Sequence, residues 1–431
     1  MPSSYNLTTV ALNRCVYDDA TFGAEQTVDV GSDAQAQVVV VGAGLTGLST
    51  AWHLNQLGYS VIVLEAERVG FGASGRNGGQ INAGLKQSLA ATIGRYGTAK
   101  GEQFCALAQK APRVLIDLIR SLNLDCELME CGTLKASRYS ADHTSATSTP
   151  CSSGVFLGRD QLHAMTGSDY YRSGYFDPNG ASVHPQKLLR EWTKRCREKG
   201  VRIFESTRAL RVIQTSHGFK CETTQGTTHS ERLVIATDGY SDHLWPHLAK
   251  SIVPIYSCMI ATEPLTAEQS QSILPQRPVV YETQRMTVYY RKDAHNRLLM
   301  GGRGPQRPLS SLEDVAPMIH HTVKLWPVLK GIAITHAWNG QFALTPDFYP
   351  RLHRPAPGVW AALGYSGRGV AMAVSMGREI ANSINGCPDA ELPIPISPIK
   401  PIWGHRFWKW GVAMNVAMGR AQDAADRLVK R

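Results

Sequence analysis

Val38-Val39-Val40-Val41 is a β-branched run with no polar interruption, the pattern of a strand buried on both faces of a parallel sheet. It leads into Gly42-Ala43-Gly44-Leu45-Thr46-Gly47, a helical stretch to about Leu57, a stop at Gly58 and a second strand, Val61-Ile62-Val63-Leu64, ending at Glu65. Further strand-like runs lie at 208–213, 232–236, 252–262, 279–291 and 297–301, and helical patterns at 98–122, 185–199 and 370–385. Strands and helices alternate, so an α/β chain is expected. A Rossmann-type nucleotide domain would be assembled from segments 36–95, 177–250 and 340–387. A substrate domain would occupy 96–176 and 251–339, flanked by a polar surface arm at 1–35 and a tail at 388–431.

The glycine turn carries a mechanism. Gly42 permits the tight turn, Gly44 lets backbone approach a pyrophosphate, and Gly47 allows close helix–strand packing. The helix N-terminus offers free amides and a positive dipole end to phosphates. Glu65, 18 residues after Gly47, is placed to accept ribose hydroxyls and disfavours a 2′-phosphate. FAD and NAD both satisfy this pattern. A second glycine-rich stretch, Gly70 to Gln80, offers Ser74, Arg76, Asn77 and Gln80 as donors on backbone free to approach a ligand. Gly364-Tyr365-Ser366-Gly367-Arg368-Gly369 opens the helix at 370–385, with Ser366 a candidate N-cap and the helix terminus able to stabilise a negatively charged ring.

Composition narrows the class. At 431 residues, 43% apolar and 19% charged, the chain is globular and long enough for two or three domains. The net charge of +10 is scattered with no Lys/Arg run of five, so anionic small molecules are favoured over nucleic acid. Nine cysteines form no CxxC pair and no paired-His zinc spacing; no metal is expected, and most thiols should be reduced and buried. No N-terminal basic-then-apolar signal and no run of 18 apolar residues occurs, so the cytoplasm is the default expectation.

Several stretches together resemble the D-amino-acid-oxidase-like FAD-dependent oxidoreductases, in particular their γ-glutamylputrescine-oxidoreductase-like branch: GAGLTGLSTAWHLNQLG (42–58), LEAERVGFGASGRNGGQ (64–80), DPNGASVHPQKL (177–188), VIATDGY (234–240), WNGQFALTPD (338–347) and GYSGRGVAM (364–372). The resemblance implies a discontinuous FAD domain and an α+β substrate domain with a mixed, largely antiparallel sheet. It implies FAD contacts from Gly42, Gly44, Leu45, Thr46, Gly47, Glu65 and Ala66, and from Ala73, Ser74, Arg76, Asn77, Gly78, Gly79 and Gln80. Leu210 would pack near the adenine, Thr237 would line the dinucleotide cleft, and Gly340 with Gly364, Tyr365, Ser366, Gly367, Gly369 and Val370 would lie near the isoalloxazine.

The chemistry so implied is hydride removal by flavin from a carbon bearing an amine, giving an imine that water hydrolyses to aldehyde and amine; no protein nucleophile is assigned. Family members acting on α-amino acids carry a G-x-R-P-x-T arginine that forks onto the carboxylate. Gly340-Gln341-Phe342-Ala343-Leu344-Thr345 places Phe342 there instead, which favours an amine or acylated polyamine and a place in polyamine catabolism. A D-amino-acid or N-methyl-amino-acid oxidase, and a non-catalytic or RNA-directed flavin module, are the alternatives. Residues 338–350 contain no cysteine to tether flavin, so FAD should be non-covalent, and strand 298–302 offers no lysine for oxygen activation; oxygen or a quinone-type carrier is the acceptor. Candidate pocket residues are Tyr281, Tyr289, Tyr290, Arg291, Trp338, Phe342, Tyr365 and Arg368, because aromatic walls suit an alkyl amine. His184, before Pro185, is expected to orient or cap a helix, and His320-His321 to sit on a solvated helix face.

In the tail, apolar Phe407, Trp410, Met414, Met418, Ala421, Ala425 and Leu428 recur at helical spacing among Arg406, Lys409, Arg420, Arg427, Lys430 and Arg431. Such an amphipathic helix can dock on the protein body or rest peripherally on the inner membrane face.

Overall fold

The computed structural model describes residues 10–18, 33–140 and 154–429. Cys151, Lys430, Arg431 and most of the N-terminal arm lie outside them.

The valine run forms the expected strand, Ala34–Val41, at the centre of an eight-stranded sheet. It lies parallel to Val61–Leu64 on one side, with Val41 opposite Leu64, and to Gly226–Ile235 on the other, with Val41 opposite Ile235. Arg202–Phe204 and Val359–Leu363 extend this parallel core. Helices Leu45–Gln56 and Gly369–Ile384 pack together in the core on one side of it. Their approach is so close that a Cβ on Gly377 would stand 2.5 Å from the Ser49 side chain.

The second layer is a nine-stranded sheet in the order Ala11–Leu12, Ile334–Leu344, Val253–Pro264, Arg297–Arg303, Tyr289–Lys292, Val279–Glu282, Thr133–Ser137, Ser173–Asp177 and Val155–Gly158. Two of its pairings are parallel, Ala11–Leu12 with Ile334–Leu344 and Val279–Glu282 with Thr133–Ser137; the rest are antiparallel. This is the mixed, largely antiparallel sheet that the resemblance implied. The run 279–291 is two strands rather than one, because the polar stretch between Glu282 and Tyr289 turns the chain back on itself. Helix Thr98–Ser121, placed by sequence in the substrate domain, buries Phe104, Leu107 and Leu115 in the same core as Leu48 and Val38. Strand Ile334–Leu344 runs through the boundary drawn at 340.

The arm corrects the reading of 1–35 as a surface segment. Ala11–Leu12 adds an edge strand opposite His336 and Ala337. Cys15, Val16 and Tyr17 are buried with Met259, Leu299 and Trp338. Apolar residues at 10–12 and 15–17 are too few for a periodic signal, yet they suffice to cover a sheet edge.

The tail helix, Trp408–Val429, is docked, but not by its regular apolar stripe. Gly419 and Asp423 are buried, and Asp423 accepts the amides of Arg285 (3.4 Å) and Met286 (3.2 Å). The Asp423 carbonyl accepts Arg138 at 3.0 Å. Trp410, Met414 and Met418 point away from the body and are exposed. No helix among the described residues is long and apolar enough to cross a membrane.

His184 caps helix Pro185–Glu198, its Nδ1 accepting the Lys187 amide at 3.2 Å. Burial pushes its pKa down to about 4, below the ~6.5 of a free histidine. The folded state therefore binds this proton less readily than the unfolded chain, so the contribution to stability is present above about pH 6.5 and is lost as pH falls towards 4. His184→Asn keeps an acceptor for the cap and removes the titration. Urea unfolding from pH 7 to 4.5 should show the variant losing on the order of 2 kcal/mol less than the wild type over this range.

Candidate active site

A cleft of about 560 Å³ opens between the glycine turn of the parallel sheet and one face of the nine-stranded sheet. Gly42 has φ +104°, and a Cβ there would lie 2.8 Å from the Ala236 carbonyl oxygen; a Cβ on Gly47 would lie 1.8 Å from the Gly42 carbonyl oxygen. Gly47 thus works behind the cleft wall, while Gly42 and Gly44 form the wall itself. Helix Leu45–Gln56 begins at Gly44 with no side-chain cap, leaving amides directed towards the cleft. Glu65 lines the cleft and accepts the amides of Ala43 (2.8 Å) and Glu67 (3.1 Å). Burial pushes its carboxyl pKa up, opposed by those two amides. Ala66 and Thr237 also line this end.

The second glycine stretch folds back over the turn. Ser74 Oγ accepts the Leu45 amide at 3.0 Å. Asn77 donates to the carbonyls of Ala73 and Ser74 and accepts the Gly79 amide, and Arg76 donates to the carbonyls of Phe71 and Asn339. These side chains, expected as ligand donors, are spent on shaping the loop. Ala73, Ser74, Arg76, Asn77, Gly78 and Gln80 still line the cleft, whereas Gly79 lies behind it.

Tyr365, Gly367, Gly369 and Val370 also line the cleft, with Gly340. The Tyr365 hydroxyl meets Thr46 Oγ1 at 2.5 Å. Gly364 is held from behind, its amide donating to Asp238 at 2.8 Å. Ser366 is buried, donates to the Gly364 carbonyl and does not cap the helix, which starts one residue after Arg368. Asp238 also accepts the Ala343 amide at 3.0 Å, binding the 237–240 turn to both neighbouring segments. Sequence reasoning quoted the stretch containing Asp238 without singling it out; an acid between a strand end and a glycine was the available signal.

Of the expected pocket residues, Tyr281, Tyr289, Phe342, Tyr365 and Arg368 face the cleft. Arg368 donates to Tyr281 (3.2 Å), lies 5.1 Å over its ring and also donates to the Ala83 carbonyl. Three others do not face it. Tyr290 is fully buried, its hydroxyl 2.6 Å from that of Tyr171 and its ring packed on Trp326. Trp338 is buried and donates to the Arg76 carbonyl. Arg291 is a buried clamp donating to Gly78 (2.6 Å), Val183 (2.9 Å) and Tyr17 (3.3 Å). Alternation along the strands accounts for the first pair, since neighbouring Tyr289 and Tyr290 point to opposite faces. Leu210 is 56% exposed, and Arg208 and Ala209 line the cleft in its place. His321 is not on a solvated face; it meets Glu282, itself in the cleft wall, at 2.7 Å.

No described cysteine lines the cleft, and five of the eight described cysteines are buried. No cluster able to hold a metal occurs among the described residues. A helix N-terminus facing the cleft, a glycine-rich turn and an acid at the end of the second strand suit a flavin dinucleotide.

The profile of the DAO family, described as FAD dependent oxidoreductase, matches residues 37–383. Gamma-glutamylputrescine oxidoreductase of Escherichia coli is 32% identical over 367 residues, covering 82% of this chain and 84% of that protein. A probable oxidoreductase, OrdL, of Haemophilus influenzae is 31% identical, covering 81% and 83%. The crystal structure of glycine oxidase from Geobacillus kaustophilus superposes with a TM-score of 0.71 at 19% identity, covering 84% of this chain and 99% of that one.

Gly47→Val drives a side chain into the Gly42 carbonyl. The purified variant should carry less than a tenth of the wild-type flavin, read from its visible absorbance, and should not recover it on adding excess FAD.

Proposed function

Since the chain belongs to the DAO family of FAD-dependent oxidoreductases, we propose that it oxidises the C–N bond of an amine, with a γ-glutamylated polyamine as the leading candidate, to an imine that hydrolyses to aldehyde and amine. FAD, when bound non-covalently, supplies the hydride acceptor. The observation that carries the substrate reading is Phe342. It lines the cleft with Tyr281, Tyr289 and Tyr365 at the position where α-amino-acid oxidases of this type carry a carboxylate-binding arginine. An apolar ring there cannot fork onto a carboxylate, but it can pack on a methylene chain and exclude water.

Gly42, Gly44, Leu45, Thr46 and Glu65 would hold the dinucleotide, and Gly340 with Gly367 to Val370 the ring end. The aromatic side chains orient the alkyl amine. Burial of Tyr289 and Tyr365 pushes both phenols well above their ordinary range, so each keeps its proton and acts as a hydrogen-bonding wall, not as a base. The electrons pass to oxygen or to a quinone-type carrier.

Anaerobic addition of γ-glutamylputrescine to the holoenzyme should bleach the flavin's visible band, and D-alanine should not. Bleaching by α-amino acids alone would overturn the substrate reading. Air or a quinone then reveals the acceptor by the rate of reoxidation.

The tail helix is the second partner surface, and its reading here is an anionic bilayer. Phe407, Trp410, Met414 and Met418 form one exposed stripe, and Trp403 before the helix is exposed too; the stripe lies opposite the face anchored through Gly419 and Asp423. From Leu392 to Gln422 there is no acidic residue, while Lys400, Arg406, Lys409 and Arg420 are basic. Aromatic residues beside cations suit a lipid headgroup region. The protein should sediment with phosphatidylglycerol vesicles, and Trp410→Glu with Met414→Glu should abolish this without altering flavin reduction. A stable dimer that ignores vesicles would overturn it.

A further inference from the structure

The cleft holds more positive charge than its own acids neutralise. The cleft's acids near its substrate end are engaged, Glu282 by Tyr171, Gln284 and His321 and Asp238 by two backbone amides, while Asp242, which lines the cleft with Ala209, pairs with Arg208. Arg303, half-buried at the end of strand Arg297–Arg303, meets no hydrogen-bond acceptor or carboxylate among the described residues. Lys86 lines the same cleft, its ammonium 5.2 Å from the Phe348 ring, with no carboxylate paired to it among the described residues. Its side chain is solvent-exposed. Desolvation by surrounding protein atoms, with Arg303 and Arg368 nearby, pushes its pKa down to about 8. The other cleft arginines are engaged, Arg76 and Arg368 by carbonyls and Arg208 by Asp242. A half-buried cation without a partner costs free energy that an anion would recover.

The anion is unlike the dinucleotide phosphates, which belong at the helix terminus beside Gly44 on the other sheet. Position along the nine-stranded sheet separates it equally from the α-carboxylate site. Arg303 and Gly340 both stand opposite Ser257, while Phe342 stands opposite Ile255. Arg303 and Phe342 are thus two strands apart, roughly 10 Å at the usual strand spacing. A carboxylate held by Arg303 is therefore several bonds away from one that would have been held at Phe342.

We propose that Arg303 and Lys86 form a receiving site for a carboxylate at the end of the amine substrate remote from the C–N bond that is oxidised. The inference rests on the amine reading above and narrows it to amines carrying a distal carboxylate. Arg303 supplies a planar fork for two carboxylate oxygens, and Lys86 supplies a point charge. Phe342 and the tyrosines span the methylene chain between. The site discriminates by requiring both ends: an amine without the carboxylate leaves the two cations unpaired.

The test uses holoenzyme with γ-glutamylputrescine and its methyl ester as oxidisable probes and glutarate as a non-oxidisable one. Glutarate should perturb the bound flavin's visible spectrum in the wild type, and at least tenfold more weakly in Arg303→Met. The acid's KM should rise at least tenfold in Arg303→Met with kcat within twofold, while the ester's kinetics stay unchanged and flavin content stays at the wild-type level. Arg303→Lys should recover part of the loss. Lys86→Met, in a loop side chain open to the cleft, should show the same selective loss and keeps the test available if Arg303→Met does not fold. Equal effects on acid and ester, or lost flavin with unchanged glutarate affinity per bound flavin, would overturn the inference. If neither amine bleaches the flavin while glutarate still binds through Arg303, the amine reading fails and the carboxylate site stands.

Discussion

The missing Cβ of Gly47 sets how closely the first helix can lie against the first strand, and most of the cleft follows from that approach. With the Gly42 carbonyl only 1.8 Å from where a Cβ would be, no other residue lets helix Leu45–Gln56 start where it does. Its first amides then face the cleft, Ser74 can reach the Leu45 amide, and Thr46 can meet Tyr365 across the cavity. One backbone approach fixes both the phosphate end and the distance to the ring end.

The two sheets are held in register around this turn by buried polar groups whose partners are mostly backbone. Asp238 joins the 237–240 turn to Ala343 and Gly364. Arg291 joins the nine-stranded sheet to Gly78, Val183 and the arm residue Tyr17. Carbonyls and amides cannot change with side-chain substitution, so such clamps fix geometry while leaving the cleft-facing side chains free to vary. Arg303 and Lys86 differ from these clamps because neither is tied to the backbone. Charge left unpaired in a partly enclosed cavity is suited to a ligand and not to the fold.

The sequence by itself determined the cofactor half. The β-branched run, the glycine spacing and Glu65 are local, lie within 28 residues from Val38 to Glu65, and obey backbone rules that tolerate few alternatives. The elements at 98–122, 185–199, 232–236 and 370–385 were legible for the same reason: periodicity within one element depends only on that element's buried face.

Tertiary structure decided what each side chain could reach. Tyr289 and Tyr290 are equivalent in composition, yet strand alternation sends one to the cleft and the other to Trp326. Arg291 and Arg303 carry the same charge, yet four acceptors surround one and, among the described residues, none the other. The arm at 10–17 gained its place only because the edge of strand Ile334–Leu344 was open to it. The tail helix docked by Gly419 and Asp423 because the turn at 285–286 presented free amides. Each of these outcomes depends on residues distant in sequence that become neighbours only when the sheets assemble, and no spacing along one chain encodes which neighbour that will be.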